Sequence, residues 1–155
     1  MKIYVGCALT HASDEFCFQV EKLKRIIARQ HEVLEFLGTT AGTPTDVYRQ
    51  DIRENASNCE LFLGICDLPS IGLGYELSYA IEKRGIPVLA VAHRNAHITR
   101  LILGIDKPSY TFGRYEDICR DVPLMIEDVI HKMLFMQHHR ELTPEELETA
   151  FDVVI

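Results

Sequence analysis

The residues of this 155-residue chain with the clearest chemical potential lie in one stretch, Asp67-Leu68-Pro69-Ser70-Ile71-Gly72-Leu73-Gly74-Tyr75-Glu76-Leu77. It falls between an apolar run at residues 61–66 and a segment of helical spacing that runs from Tyr75 to about Arg84. Gly72 and Gly74 allow tight turns and close approach of the backbone to a ligand. A helix that begins there offers unpaired N–H groups and the positive end of its dipole. Glu76, placed in the first turn, is expected to be held ionised, as a carboxylate nucleophile must be. The same residues also fit a plain structural reading, in which Glu76 is a first-turn acid that suits the dipole and the glycines make a turn. A dinucleotide fingerprint fits poorly: G-x-G-x-x-G requires glycine where Leu77 stands, and it belongs in the first βα turn.

These residues need a scaffold, and strand and helix patterns alternate along the chain. Lys2–Cys7 is a short apolar run of strand type, and residues 14–29 repeat Phe16, Val20, Leu23, Ile26 and Ile27 at helical spacing. Residues 32–36 form a weak second strand, and residues 39–45 a loop rich in Thr, Gly and Pro. Asp46 can cap a helix that runs to about Asn58. Residues 61–66 and 87–92 are buried strands, and Gly85 stops the helix between them. Residues 98–103 predict a short helix, 109–112 an edge strand, and 117–138 a long helix with Pro123 near a first turn or a kink. Thr143-Pro144-Glu145-Glu146 predicts the start of a last short helix.

Repeated βα units with buried strands imply one doubly wound α/β domain over residues 1–155, built on a five-stranded, mostly parallel sheet. Residues 140–155 are a C-terminal extension of unknown role. Ligands of such sheets sit beyond the carboxyl ends of the strands, near the topological switch point. That directs attention to residues 7–13, 67–76 and 93–99.

Bulk properties narrow the partners. The formal net charge of -7 argues against a nucleic-acid polymer or an anionic membrane surface, because nothing offsets phosphate repulsion along a groove. A small anion held by backbone N–H groups needs no net positive charge. The five cysteines (Cys7, Cys17, Cys59, Cys66, Cys119) are odd in number and lack C-x-x-C spacing, so no disulfide framework or zinc site is expected. The histidines, including His138-His139, show no ligand spacing, and no metal is predicted. There is no signal-type apolar start and no run long enough to span a bilayer, so a cytoplasmic protein is expected.

Ser70-x-Gly72-x-Gly74-Tyr75-Glu76-Leu77, followed by Ala80, resembles the signature of the nucleoside 2-deoxyribosyltransferase family, which includes the 2'-deoxynucleoside 5'-phosphate N-hydrolases. Ile3-Tyr4-Val5-Gly6 is similar to that family's first strand, and Tyr48-x-x-Asp51-Ile52 to its helix before the third strand. The likeness runs from about Lys2 to Gly104. It implies a Rossmann/flavodoxin-like fold and an enzyme that breaks the N-glycosidic bond of a nucleoside or nucleotide without a cofactor. By the same resemblance Glu76 attacks the anomeric carbon, Asp51 assists at the base and the incoming acceptor, and Tyr4 orients the nucleophile. The chemistry is that of retaining glycosyl transfer across an oxocarbenium-like transition state. Taken without the resemblance, Asp51 lies in a polar helix beside Arg49, Arg53 and Glu54 and reads as a solvated carboxylate, and Tyr4 as strand core.

Within the family, Ser70 resembles the hydroxyl with which the nucleotide hydrolases hold phosphate. Thr99 falls near a serine that they lend across a dimer interface, which implies a homodimer or higher homo-oligomer. Against phosphate, the loop Cys7-Ala8-Leu9-Thr10-His11-Ala12-Ser13 carries no arginine where those hydrolases have one. Ser70, Gly72, Gly74, Thr99, Cys7 and Leu9 are the candidate substrate contacts. Water is the favoured acceptor, and base exchange by a transferase is the alternative. A non-catalytic receiver-like or nucleotide-binding signalling domain is a further alternative: Asp67 ends the third strand, and Lys107-Pro108 follows the fourth. Gly6-Cys7 cannot supply the acidic pair that a receiver needs to hold Mg²⁺.

Overall fold

The computed structural model describes residues 1–35 and 42–138. Five strands, β1 (Lys2–Cys7), β2 (Glu32–Leu34), β3 (Leu61–Ile65), β4 (Val88–His93) and β5 (Tyr110–Tyr115), form one sheet in the order β2-β1-β3-β4-β5. Every pairing is parallel, so the mostly parallel sheet expected from the sequence is parallel throughout. The chain leaves β1 toward β2 on one side and returns past it to β3 on the other. The switch point therefore lies between β1 and β3.

The helices cover both faces. α1 (Asp14–Ile27) and α5 (Ile118–His138) bury Val20, Leu23, Val122 and Ile126 against Ile3, Val5, Leu63 and Val91. On the opposite face α2 (Pro44–Tyr48) runs on as a π-helical stretch, Arg49–Ala56, and α3 (Ile71–Ser78) as another, Tyr79–Arg84. Ala56, Leu73, Leu77 and Ala80 pack there against Tyr4 and Phe62. β3 is buried along its whole length, which is why its sequence is a continuous apolar run without alternation. α4 (Arg100–Leu103) is a single turn after β4.

Local chemistry sets the helix starts and corrects three of those expected from sequence. Thr43 caps α2: its Oγ1 accepts from the Asp46 N–H, and Asp46 Oδ2 accepts from the Thr43 N–H. Asp46 is thus the third helical residue of a capping box, not the cap. Thr99 caps α4, which therefore starts at Arg100 and not at Ile98. Ser70 caps α3, its Oγ accepting from the Leu73 N–H at 3.2 Å, so this helix starts at Ile71, four residues before Tyr75. Gly72 and Gly74 stand inside its first turn with negative φ and make no tight turn. Their low helix propensity hides the start of the pattern. The predicted stop holds, with Gly85 in the left-handed conformation after Arg84. Pro123 lies within α5, past its first turn. The helix expected from Thr143 and part of the 39–45 loop lie outside the described residues.

Candidate active site

Two strand glycines let α3 settle onto the sheet. Gly6 of β1 and Gly64 of β3 are paired in register. A Cβ at Gly64 would meet Leu77 Cδ2 at 2.9 Å, and one at Gly6 would meet Phe62 Cζ at 2.9 Å and Glu76 Oε2 at 3.0 Å. A side chain in place of Gly6 would crowd the Phe62 ring, Leu73 and the Glu76 carboxylate. Gly6 belongs to the first-strand motif but is not among the site residues expected from sequence; a glycine inside an apolar strand is the signal that points to it.

At the carboxyl ends of β1 and β3 a cleft of about 450 Å³ opens between the β1–α1 loop, α2 and the start of α3. Tyr4, Gly6 and Cys7 come from β1, Leu9 and Thr10 from the loop, Val47 and Asp51 from α2 and its extension, and Ser70, Gly72, Leu73 and Glu76 from α3. Of the nine candidates named from sequence, seven line this one cleft. Gly74 and Thr99 do not. They line a second, larger and more apolar cleft of about 670 Å³ on the far side of Ser70 and Leu73, which are common to both. Thr99 is thus not brought to the Glu76 cleft within one chain. Val47, Thr10 and Leu73 are cleft residues that sequence reasoning misses, because nothing in their type marks them.

Glu76 is in the second turn of α3, not the first, and its environment opposes ionisation. Tyr4, fully buried, donates its hydroxyl to Glu76 Oε2 at 3.1 Å. Burial, and then the charge of Asp51, push the Glu76 carboxyl up to about 7, while the Tyr4 hydrogen bond pulls it down. The expectation that the helix end holds Glu76 ionised is therefore overturned: it is too far along the helix for the dipole, and desolvation wins. The Asp51 carboxyl is also raised, by burial, with the Tyr4 hydroxyl pulling the other way. Asp51 is half-buried and its Oδ1 is enclosed without a hydrogen-bond partner, so it is not the solvated carboxylate that its neighbours suggest. Burial, followed by the Glu76 and Asp51 charges, drives the Tyr4 hydroxyl far above its usual range, so it stays a donor. Burial takes the Cys7 thiol up to about 12 against a downward pull from Lys24, which leaves it neutral and inert as a nucleophile.

Two carboxyls that line one cleft, one of them held by a buried tyrosine hydroxyl and both raised above the ordinary carboxylate range, suit acid–base chemistry. Among the described residues, none lining this cleft is Lys, Arg or His. Asp67, the receiver-like aspartate, does not reach the cleft: its Oδ1 accepts the His93 N–H at 3.0 Å and ties β3 to β4.

No protein-family model matches the chain. It is 34% identical over 82 residues to a protein of Syntrophotalea carbinolica, covering 51% of this chain and 54% of that one. It is 36% identical over 62 residues to a protein of Methanococcoides burtonii, covering 40% and 49% respectively. Both carry the name "Putative 2'-deoxynucleoside 5'-phosphate N-hydrolase 1", and the chain spans about half the length of each. Among solved structures, the CMP N-glycosidase BcmB of Clostridium botulinum shares the fold at a TM-score of 0.62 and 15% identity, over 81% of this chain and 98% of that one. The names of the two relatives and the shared fold support the resemblance to the nucleoside 2-deoxyribosyltransferase-like family read from the sequence.

Proposed function

We propose that the chain is an enzyme that cleaves the N-glycosidic bond of a (2'-deoxy)nucleoside 5'-monophosphate or nucleoside, with Glu76 as covalent nucleophile and water as acceptor. The observation that carries this reading is the Tyr4–Glu76 hydrogen bond of 3.1 Å in a cleft that also holds Asp51. The names of the two relatives support the bond that is cleaved.

In this mechanism the ionised fraction of Glu76 attacks the anomeric carbon as the base departs. Tyr4 holds Oε2, so Oε1 faces the sugar. Protonated Asp51 gives its proton to the leaving base; burial raises its carboxyl above the ordinary range and so favours the protonated form. An ester then joins Glu76 to the sugar. In the second half, Asp51 as carboxylate takes a proton from water, the water oxygen bonds to the anomeric carbon, and Glu76 leaves as carboxylate. Tyr4 remains protonated throughout and offsets charge on Glu76 each time it forms.

The absence of a cationic side chain around the cleft, among the described residues, favours a second reading: transfer of the sugar to another base from an unphosphorylated nucleoside. Incubation with nucleosides and their monophosphates, with and without a free base, separates the two by base release against base exchange. Glu76→Ala should abolish both while circular dichroism shows a folded chain. Unchanged turnover in that variant refutes the mechanism.

The chain is taken as one domain acting in a reducing compartment, the cytoplasm, in keeping with five cysteines that are all free. Among the described residues no helix is long and apolar enough to cross a membrane. A homo-oligomer would give Thr99 a role in a neighbour's cleft. An active monomer at micromolar concentration removes that role.

A further inference from the structure

The Asp51 carboxylate stands on a π-helical turn, a wide and uncommon geometry that recurs at functional sites. Both of its chain neighbours are anchored. On one side, Gln50 Nε2 donates to Asn55 Oδ1 at 3.2 Å and to the Glu35 carbonyl at 3.3 Å, and Asn55, itself buried, donates to the same carbonyl at 2.9 Å. That side is tied to the end of β2. On the other side, the Ile52 carbonyl accepts both the N–H and the hydroxyl of Ser57, the latter at 2.7 Å.

Ser57 Oγ also lies 2.9 Å from the Tyr79 hydroxyl. A serine hydroxyl has one proton, and here it goes to the Ile52 carbonyl, so Tyr79 must be the donor to Ser57. The chain of bonds therefore runs in one direction: Tyr79 O–H to Ser57, Ser57 O–H to the Ile52 carbonyl, next to Asp51. Tyr79 is three residues beyond Glu76, one helical turn along the same face. Its ring is half-buried against the core cluster that contains Tyr4 and Phe62. A ring contact also joins these helices: Tyr48 meets Tyr75 at a centroid distance of 6.5 Å, both side chains exposed.

We propose that Tyr79 and Ser57 are positioning residues: their hydrogen bond couples the turn that bears Asp51 to the helix that bears Glu76 and so fixes the spacing of the two carboxyls. This rests on the reading of that pair as the reacting groups. Neither residue touches substrate. The two acids repel when both are charged, and the link holds them together against that repulsion.

Tyr79→Phe keeps the ring and deletes only the donated proton, and Ser57→Ala breaks the chain at its middle. Ser57→Thr retains a hydroxyl and should restore it. Three measurements decide: kcat and KM for base release, the titration midpoint of Glu76 in the resting protein by carbon-13 NMR of labelled glutamate, and thermal melting. Tyr79→Phe and Ser57→Ala should each lower kcat by about tenfold with KM within about twofold, in line with the cost of small misplacements of catalytic groups. The Glu76 midpoint should fall below about 7 as the Asp51 charge moves away. Because both variants cut one link, the double variant should be no slower than either single.

An unmoved Glu76 midpoint with wild-type kcat in Tyr79→Phe overturns the proposal, as does a Ser57→Thr variant that is folded but as slow as Ser57→Ala. A midpoint that shifts in a protein releasing no base supports the coupling and refutes the reaction. The two failures are thereby distinguishable.

Discussion

Glu76→Gln removes a group whose ionisation the fold opposes, so it should stabilise the protein while destroying its activity. The Glu76 carboxyl rises from 4.5 to about 7 on folding, first because it is buried and second because Asp51 is near. For an acid whose pKa is raised, the folded state carries no penalty below about pH 4.5 and the full penalty above about pH 7. Glutamine is neutral at every pH and still accepts the Tyr4 hydroxyl, so it removes the penalty and keeps the hydrogen bond. At about 1.4 kcal/mol for each pH unit between the unfolded and folded values, the gain is about 3 kcal/mol at pH 8 and under about 1 kcal/mol at pH 5. For a chain of this length that corresponds to a Tm higher by roughly 5–10 °C at pH 8 and by only about 2–3 °C at pH 5. Calorimetry of both proteins at the two pH values and one ionic strength measures it. A gain of equal size at both pH values, or a lower Tm at pH 8, would refute burial of Glu76 as the reason its pKa rises.

The wild-type rate of base release should show an inflection at about pH 7, where Glu76 titrates; a profile without one between about pH 5 and 9 contradicts a Glu76 nucleophile. Asp51→Asn should slow turnover by roughly 10²-fold, less so for a base that leaves easily, and equal rates on good and poor leaving bases would leave Asp51 without a catalytic role. Ser70→Ala should cost ~1 kcal/mol of stability through the lost cap of α3 and weaken a bound 5'-monophosphate by about 10- to 100-fold while sparing the nucleoside. Equal loss for both ligands, measured by competition at fixed salt, would confine Ser70 to capping.

Much of the fold is legible in the sequence because strand burial and helix periodicity leave strong marks. The run Leu61–Ile65 has no polar residue to alternate with, and only a strand covered on both faces reads that way. Helix starts are harder. Ser70, Thr43 and Thr99 are all good caps by type, yet the pattern places the start of α3 too late because two glycines and an exposed Ile71 break its apolar stripe. Glu76 and Asp51 stand out by motif, not by physics. Their chemistry depends on a desolvation that arises only when α2 and α3 close over β1, and no local pattern reports it. The same holds for the Tyr79–Ser57 bond, which joins residues 22 apart through hydroxyls that in sequence look like ordinary solvated groups.

The site is assembled by closeness more than by added charge. Gly6 and Gly64, side by side in the two central strands, remove the Cβ atoms that would hold α3 off the sheet. Leu77 fills the space over Gly64, and Phe62, Leu73 and Glu76 share the space over Gly6, so one helix seats apolar side chains and a carboxylate over adjacent strands. The close seat is what desolvates Glu76, and desolvation is what raises its pKa toward the range where it can exchange a proton near neutral pH. A carboxylate at the same sequence position over bulkier strand residues would stand in water near its ordinary pKa. The glycine pair, which carries no chemistry of its own, is therefore the feature that lets α3 bring a carboxyl down onto the sheet, and the energetic cost of that seat falls on Glu76 itself.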